Sequence, residues 1–189
     1  MSVVAVRKNE RTKTIEISAD SIVVYWQTNI NNNVNEGSSK KNFSKLFSIN
    51  GMIIGCVGDC EDGALMSIFG ETHKPKAPDI ESVTKFIVEF HKYKRELSGG
   101  GSQVTSEFII VYQSKIFYCM DLLVMEIPEY TAIGAGMDYA LTALHLGHDT
   151  KEAVKVACDL CVWVSEPIDT YYMDMVNNEI ITPGKEEKE

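Results

Sequence analysis

The chain has 189 residues, and its 27 aspartates and glutamates exceed its 18 lysines and arginines, which gives a net charge of −9. An acidic surface repels phosphate-rich surfaces, so we expect no nucleic-acid partner and no anionic membrane partner. The length fits one domain, the 44% of hydrophobic residues suffice for a core, and no apolar stretch approaches the roughly 18 residues of a membrane span.

The first part of the chain predicts β-strands. SVVAVR (residues 2–7) is short and β-branched, and TIEISAD (14–20) alternates isoleucine with polar residues, as a half-buried strand does. SIVVYW (21–26) predicts a third strand. The polar, asparagine-rich stretch at 27–42 then predicts a loop or a mobile flap. Two further strands flank Asn50 and Gly51, a pair that favours a type I′ hairpin turn.

Two helices are predicted next. Asp59 is placed to cap a helix over residues 60–70. Residues 78–97 have apolar side chains at helical spacing, and this amphipathic helix carries Lys94 and Arg95 near its end, where cations suit the helix dipole. Glycines and serines at 98–103 predict a flexible turn.

Strands return in EFIIVYQSKIFYCM (107–120), which reads as a hairpin, and in EYTAIGAG (129–136). Helices are predicted at 137–147 and 149–166, and a last strand at 171–175. This order predicts an α+β fold, in which two antiparallel sheets pack face to face between helical layers. We expect a single domain over residues 1–182, followed by a charged tail at 183–189.

Five cysteines and an N-terminus without a secretory pattern predict a cytoplasmic protein with unpaired thiols. A split zinc site of two cysteine pairs is the less favoured alternative, since the cysteines lie in apolar segments.

The turn Gly134-Ala135-Gly136 joins a predicted strand directly to a predicted helix. Glycines at such a junction often allow a backbone to approach a ligand or a reacting group closely. The turn is therefore either part of an active site or only a tight corner.

Four stretches together resemble the proteasome β-subunit family of N-terminal nucleophile hydrolases, and within it the HslV-like peptidases. They are SVVAVRKN, SADS, KLFSINGMIIGCVGD, and AIGAGMDYALTAL with KEAVKVACDLCVWV. The resemblance implies a four-layer αββα sandwich. It also implies a chemistry in which the hydroxyl of the first residue attacks a peptide carbonyl and the α-amine of that residue acts as base.

The resemblance places Met1 at the nucleophile position and Ser2 directly after it. Asp20 matches the aspartate that orients a lysine. The family's lysine lies four residues before the leucine that corresponds to Leu46, so the position falls on Asn42, with Lys41 as the nearest candidate.

Further along the chain, the resemblance assigns Gly58, Gly134 and Gly136 to the oxyanion-binding and active-site turns. Ala135 stands where the family carries a serine. The three positions Met1, Asn42 and Ala135 thus depart from the catalytic pattern, whereas Asp20 keeps it.

Three functions follow from these matches. The favoured one is a catalytically degenerate, proteasome-like subunit that acts as an oligomeric shell or binds a peptide or protein. The second is an active peptidase or amidase that uses Ser2, Asp20 and Lys41 once Met1 has been removed. The third is an unrelated cytosolic α+β binding module.

Two more expectations come from the resemblance. Relatives form homo-oligomeric rings, so a ring-type homo-oligomer is implied. Relatives also bind a monovalent or divalent cation through backbone carbonyls at a helix C-terminus, and here the carbonyls of Cys158, Cys161 and Val164 would supply the ligands. The chemistry itself requires no cofactor.

Overall fold

A computed structural model describes residues 2–23, 27–28, 35–36 and 41–182 of the chain. The elements of the first half are β1 (Val4–Asn9), β2 (Thr14–Asp20), β3 (Ile22–Val23), β4 (Gln27–Thr28), β5 (Asn35–Glu36), β6 (Lys41–Asn42), β7 (Leu46–Ile49), β8 (Met52–Val57), α1 (Cys60–Thr72) and α2 (Ile80–Leu97). Those of the second half are β9 (Glu107–Tyr112), β10 (Lys115–Met120), β11 (Leu123–Ile127), β12 (Tyr130–Ile133), α3 (Met137–His145), α4 (Thr150–Leu160), β13 (Ile168–Asp174) and β14 (Ile180–Ile181).

Two five-stranded antiparallel sheets form the centre of the molecule. Their strand orders are β12-β1-β2-β13-β14 and β11-β10-β9-β8-β7. Helices α3 and α4 pack on the first sheet, and α1 and α2 pack on the second. The predicted α+β fold with two antiparallel sheets between helical layers is therefore confirmed.

Three apolar clusters hold the layers together, and burial of apolar surface is the main force that stabilises them. The cluster between the sheets contains Ile15 and Ile17 of β2 and Ile53 of β8. Ile54, the next residue along β8, points the other way, into the cluster beneath α1 and α2. A third cluster of small side chains lies beneath α3 and α4. Because β8 is covered on both faces, its sequence MIIGCV is continuously apolar.

Most predicted boundaries agree with the structure. The β7–β8 hairpin turns through Asn50 and Gly51, both at positive φ as a type I′ turn requires. Gln113 and Ser114 likewise connect β9 to β10. Asp59 caps α1 by accepting a hydrogen bond from the backbone N–H of Glu61.

Some predicted boundaries were wrong, and strand β11 was not predicted. Helix α4 ends at Leu160 instead of continuing to residue 166, because Cys161 adopts extended backbone dihedrals and is followed by the β-branched residues Val162 and Val164. Strand β11 was missed because its side chains are mostly exposed, which leaves little hydrophobic pattern. The last strand, β13, begins at Ile168, three residues before the predicted start at 171.

The predicted flap at 27–42 lies largely outside the described residues. Within the described part, β4 pairs with β5 and β6 pairs with β3. The predicted tail at 183–189 also lies outside the described residues. No helix in the described part of the chain has the length and apolar character needed to cross a bilayer.

Candidate active site

The start of β1 brings Ser2 next to Asp20. In the register of β1 and β2, Val4 lies opposite Ala19, so the next pair outward is Val3 and Asp20. The backbone N–H of Val3 donates to Asp20 Oδ1 at 2.8 Å, and the Asp20 side chain is fully buried. Ser2 is only 5% exposed and lines a cavity. Two of the predicted site residues, Ser2 and Asp20, therefore lie near each other, because Asp20 is bonded to the residue that follows Ser2.

The cation beside Asp20 is Lys45, which sequence reasoning missed. Its Nζ lies 2.6 Å from Asp20 Oδ2, and its side chain is 6% exposed. Lys45 directly precedes the buried strand residue Leu46, whereas the prediction counted four residues back. The backbone of Lys41 pairs with Val23 and that of Asn42 with Ile22. The Lys41 side chain is outside the described part, so its predicted role stays a prediction.

The charged end of Lys45 is buried away from solvent. Burial lowers the pKa of Lys45 below its ordinary value, and the nearby Asp20 carboxylate offsets part of this effect. The ammonium has three N–H donors, and the contact of Nζ with Asp20 Oδ2 at 2.6 Å accounts for one of them. The other N–H donors of Lys45 can serve another group in the cavity.

The cavity next to these residues has a volume of about 520 Å³. Ser2 and Lys45 line it, the start of β7 contributes Phe47, and α1 contributes Cys60 and Ile68. This volume is in the range of small-ligand pockets, and a mainly apolar wall with a few polar groups is typical of them.

The turn between β8 and α1 forms another wall of the cavity. Gly58 has φ +127°, a left-handed conformation that glycine adopts without strain. Among the described residues, none accepts a hydrogen bond from the backbone N–H of Gly58. A backbone N–H without an acceptor at a cavity wall is suited to stabilising negative charge on a bound oxygen.

The turn Gly134-Ala135-Gly136 holds the backbone of Ser2. Gly134 has φ +94°, and a Cβ there would lie 2.4 Å from the carbonyl oxygen of Ser2. The backbone N–H of Gly136 donates to the same oxygen at 3.2 Å. The turn is thus a tight corner whose glycines allow Ser2 to approach, and it positions the first residues of β1.

Replacing Gly134 by alanine is expected to destabilise the fold by more than the roughly 1–2 kcal/mol that a left-handed alanine costs, because its Cβ would also overlap the Ser2 carbonyl. Gly51→Ala is the matched control, since Gly51 has φ +81° but no atom near its virtual Cβ. The free energy of unfolding in urea checks this prediction. Equal losses in the two variants would contradict it.

Two cysteines near Lys45 have raised thiol pKa values. Burial raises the pKa of Cys158 to about 12, and burial followed by the Asp59 charge raises that of Cys60. Lys45 lies close enough to both thiols to lower their pKa in part. These two cysteines are therefore poor nucleophiles in the present environment.

The residues of the predicted cation site lie at the end of α4. Cys158 is in the last turn, Cys161 is the C-cap, and the Cys161 carbonyl accepts a hydrogen bond from the backbone N–H of Val164 at 3.1 Å. The three carbonyls therefore share one short segment. Cation binding there remains a prediction.

No protein-family model matches the chain, and no curated protein matches it. Two solved structures of BPH from Thiobacillus denitrificans share its fold. The one in complex with epoxomicin has a TM-score of 0.75 and 16% sequence identity, and the match covers 92% of this chain and 98% of that chain. The other has a TM-score of 0.74 and 16% identity, with 93% and 98% covered.

Proposed function

We propose that the chain is an amide-bond hydrolase of the proteasome-like N-terminal nucleophile class, with Ser2 as nucleophile after removal of Met1. The observation that carries the proposal is the buried Lys45–Asp20 pair beside Ser2 at the cavity. A buried ion pair is often less stabilising than apolar residues of the same volume, so its presence at a cavity favours a chemical role.

In the proposed reaction, Ser2 Oγ attacks the carbonyl carbon of a peptide bond, and the α-amine of Ser2 takes the hydroxyl proton. An α-amine suits this step because its pKa of about 8 leaves about a tenth of it neutral at pH 7, far more than for a lysine amine with a pKa of about 10.4. The ammonium of Lys45 stabilises the forming alkoxide, and Asp20 holds Lys45 in place.

The negative charge that develops on the carbonyl oxygen is stabilised by the backbone N–H of Gly58. The tetrahedral intermediate collapses, the C–N bond breaks, and the leaving amine takes the proton from the Ser2 ammonium. Water then attacks the resulting ester, with the same amine as base, and releases a carboxylic acid and free Ser2. In this scheme Lys45 has the role that sequence analysis gave to Lys41.

The apolar wall next to Lys45 favours peptides with an apolar side chain near the cleaved bond. Phe47 and Ile68 supply apolar surface, and Ile22 and Ala64 extend it. Burying a side chain there would contribute about 25 cal/mol per Å² of apolar area. We therefore propose a peptide or protein substrate with an apolar residue on the acyl side.

The second candidate function is binding without hydrolysis, by a degenerate subunit in a homo-oligomeric shell. The sequence alignment favours it, because the resemblance places Met1, and not Ser2, at the nucleophile position. Ala135 also lacks the hydroxyl of the family's serine. The strongly exposed Val162 and the half-exposed Trp163 would supply apolar surface for self-association.

The mass of the intact, untagged protein before and after incubation with epoxomicin tests the hydrolase proposal. Epoxomicin is a suitable probe because one of the similar structures is in complex with it, and we propose that it binds here at Ser2. We expect a mass without Met1, and a shift by one epoxomicin. The same chain with an uncleaved N-terminal extension should remain unmodified, since Ser2 then has no free amine. A protein that retains Met1 and forms no adduct would exclude the hydrolase and favour the binding function.

A further inference from the structure

A second buried ion pair lies behind the β8–α1 turn, on the side away from the cavity. It joins Asp62, in the first turn of α1, to Lys94, near the end of α2, and the two side chains are 0% and 2% exposed. Lys94 Nζ also donates to the backbone carbonyl of Gln103 at 2.9 Å. The pair therefore connects both helices to the segment that leads into β9.

Asp62 Oδ2 accepts three hydrogen bonds from that segment. The backbone N–H groups of Thr105 and Ser106 donate to it at 3.0 and 3.1 Å, and Ser106 Oγ donates to it at 2.8 Å. Burial alone would raise the pKa of Asp62, but these bonds and the Lys94 ammonium together lower it. Asp62 is thus held as a carboxylate with its oxygens satisfied.

Ser106 links Asp62 to the Gly58–Asp59 turn. Its Oγ accepts a hydrogen bond from the backbone N–H of Asp59 at 2.9 Å. The backbone of Gly58 packs on Ser106 so closely that a Cβ on Gly58 would lie 2.6 Å from Ser106 Oγ. The donation to Asp62 orients the hydroxyl so that its lone pair faces Asp59. The position of the Gly58 N–H at the cavity therefore depends on Ser106.

We propose that Ser106 is a positioning residue, which the Asp62–Lys94 pair orients so that the Gly58–Asp59 turn presents the Gly58 N–H to a substrate oxygen. This inference rests on the proposed function. Burying an ion pair and a hydroxyl costs more desolvation free energy than burying apolar side chains of the same volume. These buried polar groups hydrogen-bond the backbone of the Gly58–Asp59 turn and the segment next to it, which favours a positioning role. Ser106 touches no substrate, so its effect on the reaction is exerted through Gly58.

The test compares Ser106→Ala with Ser106→Thr, which keeps the hydroxyl, and with Ile110→Val. Ile110 is a fully buried residue of β9 in the core beneath α1 and α2, and its truncation removes packing without touching the turn. Three quantities are measured in each variant: kcat and KM for a fluorogenic peptide, the melting temperature, and the NMR hydrogen-exchange rate of the Asp59 amide.

We expect Ser106→Ala to lower kcat by about 10- to 100-fold with little change in KM, because the donor acts mainly on the transition state. Hydrogen exchange of the Asp59 amide should accelerate by about fivefold or more, because the amide loses its hydrogen bond to Ser106 Oγ. Ser106→Thr should stay closer to wild type in both quantities. Ile110→Val should lower the melting temperature without either change.

The exchange measurement separates this inference from the proposed function. If the wild-type protein hydrolyses no peptide but Ser106→Ala still accelerates exchange of the Asp59 amide, the hydrolase proposal is wrong. The proposal that Ser106 positions the Gly58–Asp59 turn is then supported. If Ser106→Ala matches Ile110→Val in exchange and in kcat, the positioning role is wrong, whether or not the wild type is active.

Discussion

Replacing Lys45 by methionine is expected to lower kcat for peptide hydrolysis by about a thousandfold or more, which is the usual scale for losing one member of a nucleophile-activating group. Lys45 is the described cation within ion-pair distance of Asp20, and it lines the cavity together with Ser2. Without its charge, the alkoxide of Ser2 would form in a mostly apolar cavity with only the Ser2 ammonium to balance it. Steady-state kinetics with a fluorogenic peptide measure the loss.

Stability has to be separated from chemistry in this experiment. Lys45→Met leaves the Asp20 carboxylate buried without a cation, and breaking a buried pair in this way costs about 3–5 kcal/mol. The double variant Lys45→Met with Asp20→Asn removes both charges, so we expect it to recover most of the lost free energy of unfolding. Hydrolysis should not recover. A double variant that regains both stability and rate would show that the pair is only structural.

The fold followed from sequence because its signals are local. Alternating isoleucines in β2, the Asn50-Gly51 turn and the Asp59 cap each act within a few residues, and the structure confirms all three. The boundaries that failed depended on tertiary structure. The end of α4 is one example, since apolar residues continue past Leu160 in a segment that is no longer helical.

The site was less predictable, because burial of a charge is a property of the folded molecule. The resemblance placed the lysine four residues before Leu46, and this spacing gave the wrong candidate position for the lysine near Asp20, which is Lys45. The lone cation directly before the apolar start of β7 was the available signal. Asp20 was found because the stretch SADS carries the resemblance to the family, which has an aspartate at this position.

Lys94 shows the same limit. Sequence analysis placed it with Arg95 near the end of an amphipathic helix, as a cation that complements the helix dipole. The structure buries Lys94 against Asp62, which is 32 residues away in sequence. Periodicity gives the face of a residue on its helix, but it does not show that the opposing layer carries a carboxylate.

Replacing Ser2 by alanine is expected to remove peptide hydrolysis to the background of the assay, because alanine has no hydroxyl to form the acyl ester. Alanine is small enough for Met1 to be removed as before, which the intact mass verifies. Ser2→Thr keeps the hydroxyl and should retain hydrolysis and the epoxomicin adduct. Because Ser2 is almost fully buried, the threonine methyl must fit at the cavity, so a rate below wild type is expected.

Ser21→Ala is the matched control for this experiment. Ser21 is 3% exposed and directly follows Asp20, but its hydroxyl donates to Asp169 Oδ2 at 3.0 Å. Its loss should cost about 1 kcal/mol of stability and leave kcat within about twofold of wild type. If Ser2→Ala keeps the wild-type rate, Ser2 is not the nucleophile and the proposed reaction is wrong. If Ser21→Ala loses as much activity as Ser2→Ala, then the hydroxyl of Ser2 has no special role, and the loss reflects disturbance of the chain around Asp20.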